Sequence, residues 1–332
     1  MSDRPEVDYT PIDEKVGGYR ASQVVLAANR LGVFAALGKE ARSAVELADE
    51  LDTDLRATRI LCDALVALSV LWKENHLYRN SSAALRYLLP SSPCSRVAIL
   101  EHSALLYQRW GGLLDSVREG KPVPDEGLDP RLARDKRAFA AAMADVGRVS
   151  ARETVNRLDL SAVTRLLDIG AGPGLYALEF ARRYTNLRVV ILDDAETLEV
   201  AARNVASAGL GDRIRLQPGD AFQDQLGGGY DFIFLSNLVH IYSGEENRRL
   251  MGRCADALAP SGQLCIKDFV LDEDRTSPLG AALFAVNMLV STERGGCYTA
   301  ADIQSWLESA GLRLKEVIAL TEQSSLVLGQ KR

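Results

Sequence analysis

The sequence predicts an α/β protein with a doubly wound, mostly parallel sheet in its carboxyl-terminal part and a mostly α-helical winged-helix domain before it. Beyond Arg165, short apolar runs alternate with helical segments, as expected for strands and their crossover helices. Between Gln23 and Leu89, helical periodicity is followed by the alternating pattern of a small hairpin. The 332 residues, 47% of them hydrophobic, are enough for two cores.

The winged-helix prediction depends on the helical stretches that precede one hairpin. VVLAANRLGVFAAL is an amphipathic pattern interrupted at Gly32, and SAVELADELDTDLRATRILCDALVALSVL contains two helices, the first capped by Ser43. In WKENHLYRN, apolar and polar residues alternate around a polar turn. A second helical block over residues 96–158 is broken by GKPVPDEGLDP and is interpreted as a connector.

The sheet prediction depends on five apolar runs, RLLDIG, LRVVILD, IRLQPGD, YDFIFLSN and GQLCIKDFVL. Helical patterns between them include LYALEFARRY, ETLEVAARNVASAG and EENRRLMGRCADALAP. Strands that alternate with helices favour a parallel sheet covered on both faces. We expect a flexible amino terminus over residues 1–15, a winged-helix domain over 16–95, a helical connector over 96–158 and the sheet domain over 159–332.

Composition excludes several classes of function. The formal net charge of -6 provides no general attraction to nucleic-acid phosphates or anionic membranes. The five cysteines lack the spacing of a zinc site or a CxxC redox motif, and their odd number argues against a disulfide framework. The charged start MSDRPEVDYTPIDEKVGG has no apolar core, and no apolar run is long enough to span a bilayer. We expect a cytoplasmic protein with no nucleic-acid partner, no membrane association and no metal.

LLDIGAGPGLYALEF passes from a strand through a glycine-rich turn into a helix. Gly170, Gly172 and Gly174 permit tight backbone angles and leave main-chain amides open to a ligand at the helix N-terminus. Ligands of doubly wound sheets bind at this edge, outside the carboxyl ends of the strands. The spacing differs from the dinucleotide pattern GxGxxG, because the third glycine comes one position early, so a nicotinamide site is less favoured.

Three acids follow the ends of consecutive predicted strands. Asp168 is placed to meet a ligand ammonium, and Asp193 lies at the roughly 20-residue offset where an acid binds a ribose diol. Asp220 can accept a hydrogen bond from an adenine amino group beside Ala221 and Phe222. Taken singly, such acids are more often helix caps or turn residues. Their order predicts a ligand with an ammonium, a ribose and an adenine but no phosphate.

These motifs resemble class I S-adenosylmethionine (SAM)-dependent methyltransferases, and specifically the homodimeric small-molecule O-methyltransferases that include caffeic acid, acetylserotonin, hydroxyneurosporene and bacterial polyketide-tailoring enzymes. DIGAGPG is similar to their cofactor loop, LDDAETLEVA to their ribose segment and GDAF to their adenine segment. AANRLGVFAAL and LCDALVALSVLWKENHLY resemble their winged-helix dimerisation domain. The connector helices of the family are similar to LYQRWGGLLDSVREGKP and FAAAMADVGRVSA. The segment that closes its acceptor pocket is similar to LFAVNMLVSTERGGCYTAADIQSWLESAGL.

The resemblance implies a Rossmann-like methyltransferase sheet, a homodimer, SAM as methyl donor with S-adenosylhomocysteine as product, and a small-molecule acceptor. It also assigns the general base to His240 in SNLVHIYSGEEN and its orienting acid to Asp268 in CIKDF. An aspartate on the far ring nitrogen fixes the tautomer and favours the imidazolium. The alternative is a structural histidine in a strand-to-helix loop.

Three departures separate the chain from the plant branch of this family. HIY stands where plant enzymes have His-Asp-Trp, and Ser236, counted here with the cofactor site, stands where many of them have a lysine. Cys297 falls near the place of a second acid that flanks the base. The set of groups around the base is therefore incomplete relative to the plant enzymes.

Candidates for the acceptor pocket come from the connector and from LFAVNML. Most aromatic and methionine positions at helical spacing are core residues. Asn287 is polar inside an apolar helix, so it can bond an acceptor hydroxyl or satisfy backbone groups. The six candidates are His102, Phe139, Met143, Phe284, Asn287 and Met288.

The predicted function is SAM-dependent O-methyl transfer to a hydroxyl of an aromatic or other hydrophobic secondary metabolite, by in-line displacement. N-, S- or C-methylation, or SAM binding without methyl transfer, is an alternative on the same fold. A winged-helix regulator that senses SAM is an alternative of another class. The helix around RATRILCDALVAL is mainly apolar after Arg59, which suits burial in a dimer better than contact with DNA.

Overall fold

The computed structural model describes residues 9–124 and 135–332, apart from the side chain of Val149. Part of the predicted break at GKPVPDEGLDP and the first eight residues lie outside this range. The chain divides into two compact units, Met1–Ala104 and Leu105–Arg332. None of the helices in the described residues is long and apolar enough to cross a membrane.

The first unit combines short helices with a small antiparallel sheet. Its helices are α1 (Thr10–Gly17), α2 (Tyr19–Leu31), α3 (Val33–Leu37), α4 (Ala44–Leu51), α5 (Leu55–Ala67) and α6 (Ser82–Tyr87). Its strands β1 (Arg42–Ser43), β2 (Leu71–Glu74) and β3 (Leu77–Asn80) pair in the order β1-β3-β2. The predicted hairpin is the pair β2 and β3, and α1 begins inside the segment predicted to be flexible and continues two residues beyond it.

Local sequence signals set the boundaries of these helices. Gly32 has a φ of 83° and separates α2 from α3, as its interruption of the amphipathic pattern predicts. Ser43 and Glu46 form a reciprocal capping box at the start of α4. Helix α7 (Val97–Trp110) contains the boundary between the two units.

The second unit is built on a long mixed sheet. Its strands are β4 (Arg165–Ile169), β5 (Arg188–Asp193), β6 (Ile214–Pro218), β7 (Tyr230–Ser236), β8 (Leu258–Leu271), β9 (Tyr298–Thr299), β10 (Leu312–Ala319) and β11 (Ser324–Lys331). Its helices are α8 (Leu113–Glu119), α9 (Lys136–Arg157), α10 (Leu175–Arg183), α11 (Ala195–Ser207), α12 (Gly244–Ala257), α13 (Leu279–Ser291) and α14 (Ala300–Ser309).

The strand order is β10-β11-β8-β7-β4-β5-β6, with β9 paired to β8. Strands β4 to β8 are mutually parallel, whereas β10 and β11 are antiparallel additions that the sequence analysis did not predict. The chain runs outward from β4 through β5 and β6, then returns to β7 on the other side of β4. This reversal places a ligand crevice at the carboxyl ends of β4 and β7, and the predicted doubly wound fold is confirmed.

The two faces of the sheet are buried by different helices. Phe232 and Phe234 of β7 pack with Phe180 of α10, whereas the alternate residues Ile233 and Leu235 pack with α12 and α14. Side chains alternate between faces along a strand. Residues two apart on a strand lie on the same face. The polar residues near the ends of β4, β7 and β8 can therefore be assigned to the face covered by α10 or to the face covered by α12 and α14.

Candidate active site

The glycine turn after β4 is packed on two sides and open between them. Gly170, Gly172 and Gly174 have φ values of 66°, 55° and 76°, a region that favours glycine. A Cβ on Gly170 would lie 2.7 Å from Cδ1 of Leu238, and one on Gly174 would lie 3.0 Å from Cδ1 of Ile191. A Cβ on Gly172 would meet nothing within 4 Å, so the middle of the turn faces open space.

Asp168, at the end of β4, is a buried acid that has no hydrogen-bond partner among the described residues. Its side chain is 0% exposed, and neither carboxyl oxygen forms a hydrogen bond with the described residues. Burial, and secondarily the charge of Asp193, raises the pKa of Asp168 well above its usual value, although the backbone N–H of Ala177, which lies outside hydrogen-bond geometry, opposes this shift. A donor brought by a ligand would satisfy this carboxyl group.

Asp193, at the end of β5, connects that strand to the glycine turn. Its Oδ2 accepts a hydrogen bond of 2.7 Å from the backbone N–H of Gly172, and its Oδ1 accepts one of 2.8 Å from Asp194. Burial raises the pKa of Asp193, whereas these two backbone donors lower it. The acid therefore holds the turn in place and retains acceptor capacity for a ligand diol.

Asp220 follows β6 at the surface, where its Oδ1 accepts a 2.7 Å hydrogen bond from the N–H of Phe222. The ring of Phe222 packs edge-on against Tyr242, with centroids 4.7 Å apart. Nε of Arg253 donates to the carbonyl of Ala221 over 2.6 Å.

Burial, followed by the charges of Asp220 and Asp193, raises the pKa of Tyr242. Its hydroxyl therefore lies in the field of both acids.

His240 and Asp268 form a buried pair at the carboxyl ends of β7 and β8. Nδ1 of His240 lies 2.7 Å from Oδ1 of Asp268, and the backbone N–H of His240 donates to Oδ2 over 3.4 Å. The N–H of Phe269 donates to Oδ1 over 2.8 Å. Because a carboxylate can only accept, this network assigns a ring proton to Nδ1, and the neutral form of the ring then has its lone pair on Nε2.

The loop that carries His240 is fixed from several directions. Nδ2 of Asn247 donates to the carbonyl of Val239 over 2.8 Å, and the N–H of Gly296 donates to the carbonyl of His240 over 2.9 Å. A side chain at Gly295 would collide with the carbonyls of His240 and Ile241, so this close approach requires glycine. The ring of His240 is therefore held in one place before any ligand binds.

Aromatic rings stand beside His240. Phe284 meets it edge-on, with centroids 4.9 Å apart, and stacks on Phe269 at 3.9 Å and 20°. Cys297 is buried, and burial together with the charge of Asp268 raises the pKa of its thiol to about 12. A protonated thiol therefore lies near Asp268 at the position where the plant enzymes were expected to have a second acid.

The other pocket candidates have varied environments. Oδ1 of Asn287 accepts a 3.0 Å hydrogen bond from Nε1 of Trp110, and Met288 is buried on α13. Phe139 is exposed and Met143 is half-buried, both on α9. His102 lies in the first unit. Their roles in an acceptor pocket stay predictions.

Two aromatic residues of this region, Tyr242 and Phe269, had no role predicted from the sequence. Phe269 directly follows Asp268, so alternation along β8 could have placed it at the rim. Tyr242 had no comparable signal, because its contact with Phe222 depends on the tertiary fold. Within the described residues, no cluster of three or more His, Cys, Asp or Glu side chains is arranged to hold a metal ion.

Comparison with known proteins gives two family matches. A model of the O-methyltransferase domain matches residues 127–313, and a model of the O-methyltransferase dimerisation domain matches residues 14–90.

Individual relatives match over nearly the whole chain. The 3-hydroxy-5-methyl-1-naphthoate 3-O-methyltransferase of Streptomyces sahachiroi is 31% identical over 91% of this chain and 89% of its own length. Acetylserotonin O-methyltransferase of Macaca mulatta is 32% identical over 92% of each chain. The crystal structure of human N-acetylserotonin methyltransferase in complex with SAM has a TM-score of 0.87 at 28% identity, covering 100% of this chain and 99% of that one. The chain therefore belongs to the O-methyltransferase family and contains both the catalytic and the dimerisation domains of that family.

Proposed function

We propose that this enzyme transfers the methyl group of SAM to a hydroxyl of an aromatic secondary metabolite, with His240 as the general base. The observation that carries the proposal is the buried pair of His240 and Asp268 at the same strand-end edge as the glycine turn. Relatives named for a naphthoate, a tetracenomycin polyketide and acetylserotonin support an aromatic hydroxyl as the acceptor.

The residues at the strand ends fit SAM. The buried carboxyl of Asp168, which has no partner among the described residues, suits an ammonium, and Asp193 suits a ribose diol. Phe222 and Tyr242 provide an apolar surface for an adenine beside Asp220, and the open side of Gly172 leaves room for a ligand against the backbone. When bound, SAM supplies a methyl group activated by its positively charged sulfur.

The acceptor presents a proton-transfer problem that the dyad addresses. A phenol has a pKa of about 10 and a histidine of about 6.5, so complete transfer before reaction is unfavourable. His240 can take the proton as the acceptor oxygen loses electron density, and Asp268 stabilises the imidazolium that results. The stacked rings of Phe269 and Phe284 suit a planar aromatic acceptor.

We further propose that the enzyme is a cytoplasmic homodimer that acts on a small molecule. The match to a dimerisation domain supports the dimer. The first unit also exposes large apolar side chains, including Ile60 and Trp72, which an interface would cover. All five cysteines are free thiols, which fits a reducing compartment.

The proposed function is tested by methyl transfer from isotopically labelled SAM to matched acceptors. The acceptors are a hydroxynaphthoate, its methyl ether and its amino analogue, and mass spectrometry locates the new methyl group. We expect label on the hydroxyl oxygen of the first compound. We expect none on the ether, because its oxygen has no proton that the base can remove. Label on nitrogen or carbon alone, or no transfer by an enzyme that binds SAM, would contradict O-methyl transfer.

His240→Gln should lower kcat for a hydroxyl acceptor by about 10²- to 10⁴-fold, the usual contribution of a positioned base. Its residual rate should rise with pH, because the acceptor must then ionise unaided. Steady-state kinetics across pH measure both effects. The control is His76→Asn, which changes an exposed hairpin histidine at a φ of 65° that asparagine tolerates. Equal rates for the His240 variant and wild type would remove its role as base.

Asp168→Asn should stabilise the ligand-free protein at alkaline pH and weaken its binding of S-adenosylhomocysteine. In the wild type, the pKa of Asp168 is raised, so its contribution to stability falls as pH increases through that pKa. The difference in Tm should therefore be larger at about pH 8 than at about pH 5, with about 2–4 °C for each kcal/mol. Scanning and titration calorimetry measure the two effects.

The matched control for this acid is Asp159→Asn. Asp159 is exposed, and a backbone hydrogen bond from Ser161 lowers its pKa. This control should not gain stability at alkaline pH, and it should bind S-adenosylhomocysteine as the wild type does. Wild-type affinity in the Asp168 variant would show that this carboxyl group does not contact the ligand.

A further inference from the structure

A second polar pair joins β7 and β8 next to the pair of His240 and Asp268. The backbone N–H of Asn237 donates to the carbonyl of Lys267 over 2.8 Å, and Nζ of Lys267 donates to Oδ1 of Asn237 over 2.9 Å. Asn237 has a φ of 53°, an uncommon conformation that this reciprocal pair holds in place. The strand register places Ser236 directly opposite Lys267.

Lys267 is a buried cation with most of its hydrogen-bonding capacity unused. Its residue is 6% exposed, and in the part of the chain that the structure describes its ammonium makes one hydrogen bond and no ion pair. An ammonium has three donors, so two are unused. The ring of Tyr176 lies 6.0 Å away and offers a weak additional attraction. Burial of a charge with so little compensation is costly, which indicates a role beyond packing.

The surroundings of Lys267 are rich in donors. Oγ of Ser236 is buried and has no partner among the described residues. Oδ1 of Asn237 faces Nζ of Lys267, so its amide N–H groups point elsewhere, and the described residues provide no acceptor for them. An ammonium, an amide and a hydroxyl side by side form a site for an anion with one negative charge.

Alternation along the strands places this cluster on the ligand edge of the sheet. Lys267 shares the α10 face of β8 with Cys265 and is two residues from Phe269, which stacks beside His240. Ser236 and Asp168 lie on that same face at the ends of β7 and β4. Lys267 and Ser236 therefore lie at the same strand ends and on the same face as the buried carboxyl of Asp168.

We propose that Lys267, Asn237 and Ser236 bind a carboxylate of one of the two reactants. This inference rests on the proposed function, which brings two sources of a carboxylate to this edge: the amino-acid end of SAM and a carboxylate on the aromatic acceptor. In either case Lys267 supplies the charge, Asn237 orients the ammonium, and Ser236 adds a hydroxyl donor. The group is a binding determinant, separate from proton transfer at His240.

The test compares ligands with and without a carboxylate in Lys267→Met, a variant of similar length without the charge. Titration calorimetry is carried out with S-adenosylhomocysteine and with 5′-methylthioadenosine, which lacks the amino-acid end. Kinetics are measured with a hydroxynaphthoate and with the corresponding hydroxynaphthalene. The control is Lys331→Met, because Nζ of Lys331 donates to the carbonyls of Ala255 and Leu258 at the opposite edge of the sheet.

If the bound carboxylate belongs to the cofactor, Lys267→Met should weaken the affinity for S-adenosylhomocysteine by about 10- to 100-fold, the range for a hydrogen bond to a charged group. The affinity for methylthioadenosine should not change. If the carboxylate belongs to the acceptor, Lys267→Met should raise KM by a similar factor for the hydroxynaphthoate and leave KM for the hydroxynaphthalene unchanged. Equal effects on the members of both pairs, or no effect on any ligand, would overturn the proposal.

Two further measurements separate binding from folding. Lys267→Met should leave Tm equal to or above that of the wild type, because it removes a buried charge. Asn237→Gly retains the backbone conformation, removes the amide, and should show the same ligand selectivity to a smaller degree. If wild-type protein binds neither adenosine ligand, the proposed function fails. If wild type binds both and the variants show no selectivity, only the carboxylate site fails.

Discussion

The hydrogen bond between His240 and Asp268 is the interaction on which the proposed chemistry depends. It joins the ends of two adjacent parallel strands, so the strand register that builds the core also sets the position of the base. Both residues are buried, where a charge-assisted hydrogen bond is stronger than in water. Backbone contacts from Gly296 and Asn247 then hold the loop, and the ring has little freedom to leave its acid.

The carboxyl ends of the central strands carry buried polar groups that lower stability in the absence of a ligand. Among the residues that the structure describes, Asp168 and Ser236 are buried without partners, and Lys267 is buried with one hydrogen bond. Native proteins leave few such groups unsatisfied, and they tend to do so at functional sites. The strand ends therefore present an acid at β4 and hydrogen-bond donors at β7 and β8. This arrangement suits one ligand that carries both an ammonium and a carboxylate, or two ligands of which one carries the ammonium and the other the carboxylate.

Features encoded by local patterns could be predicted from the sequence, whereas features that depend on register could not. The five parallel strands and the glycine turn follow from apolar runs and from glycine spacing. The hairpin of β10 and β11 was missed because most residues of β10 are partly or fully exposed, so it lacks a clear apolar run. Lys267 and Tyr242 acquire their neighbours only through the pairing of Ser236 with Lys267 and the packing of Phe222, which no local pattern encodes.

The tautomer of His240 decides whether this residue can act as the general base. The chain has three histidines, so nitrogen-15 NMR of histidine-labelled protein gives few signals, and variants at His76 and His102 assign the remaining one. We expect a neutral ring with the proton on Nδ1, bonded to Asp268, and a bare Nε2 that can accept a proton. A ring with its proton on Nε2 in the resting enzyme would rule out this role, because His240 would then have no lone pair facing the acceptor.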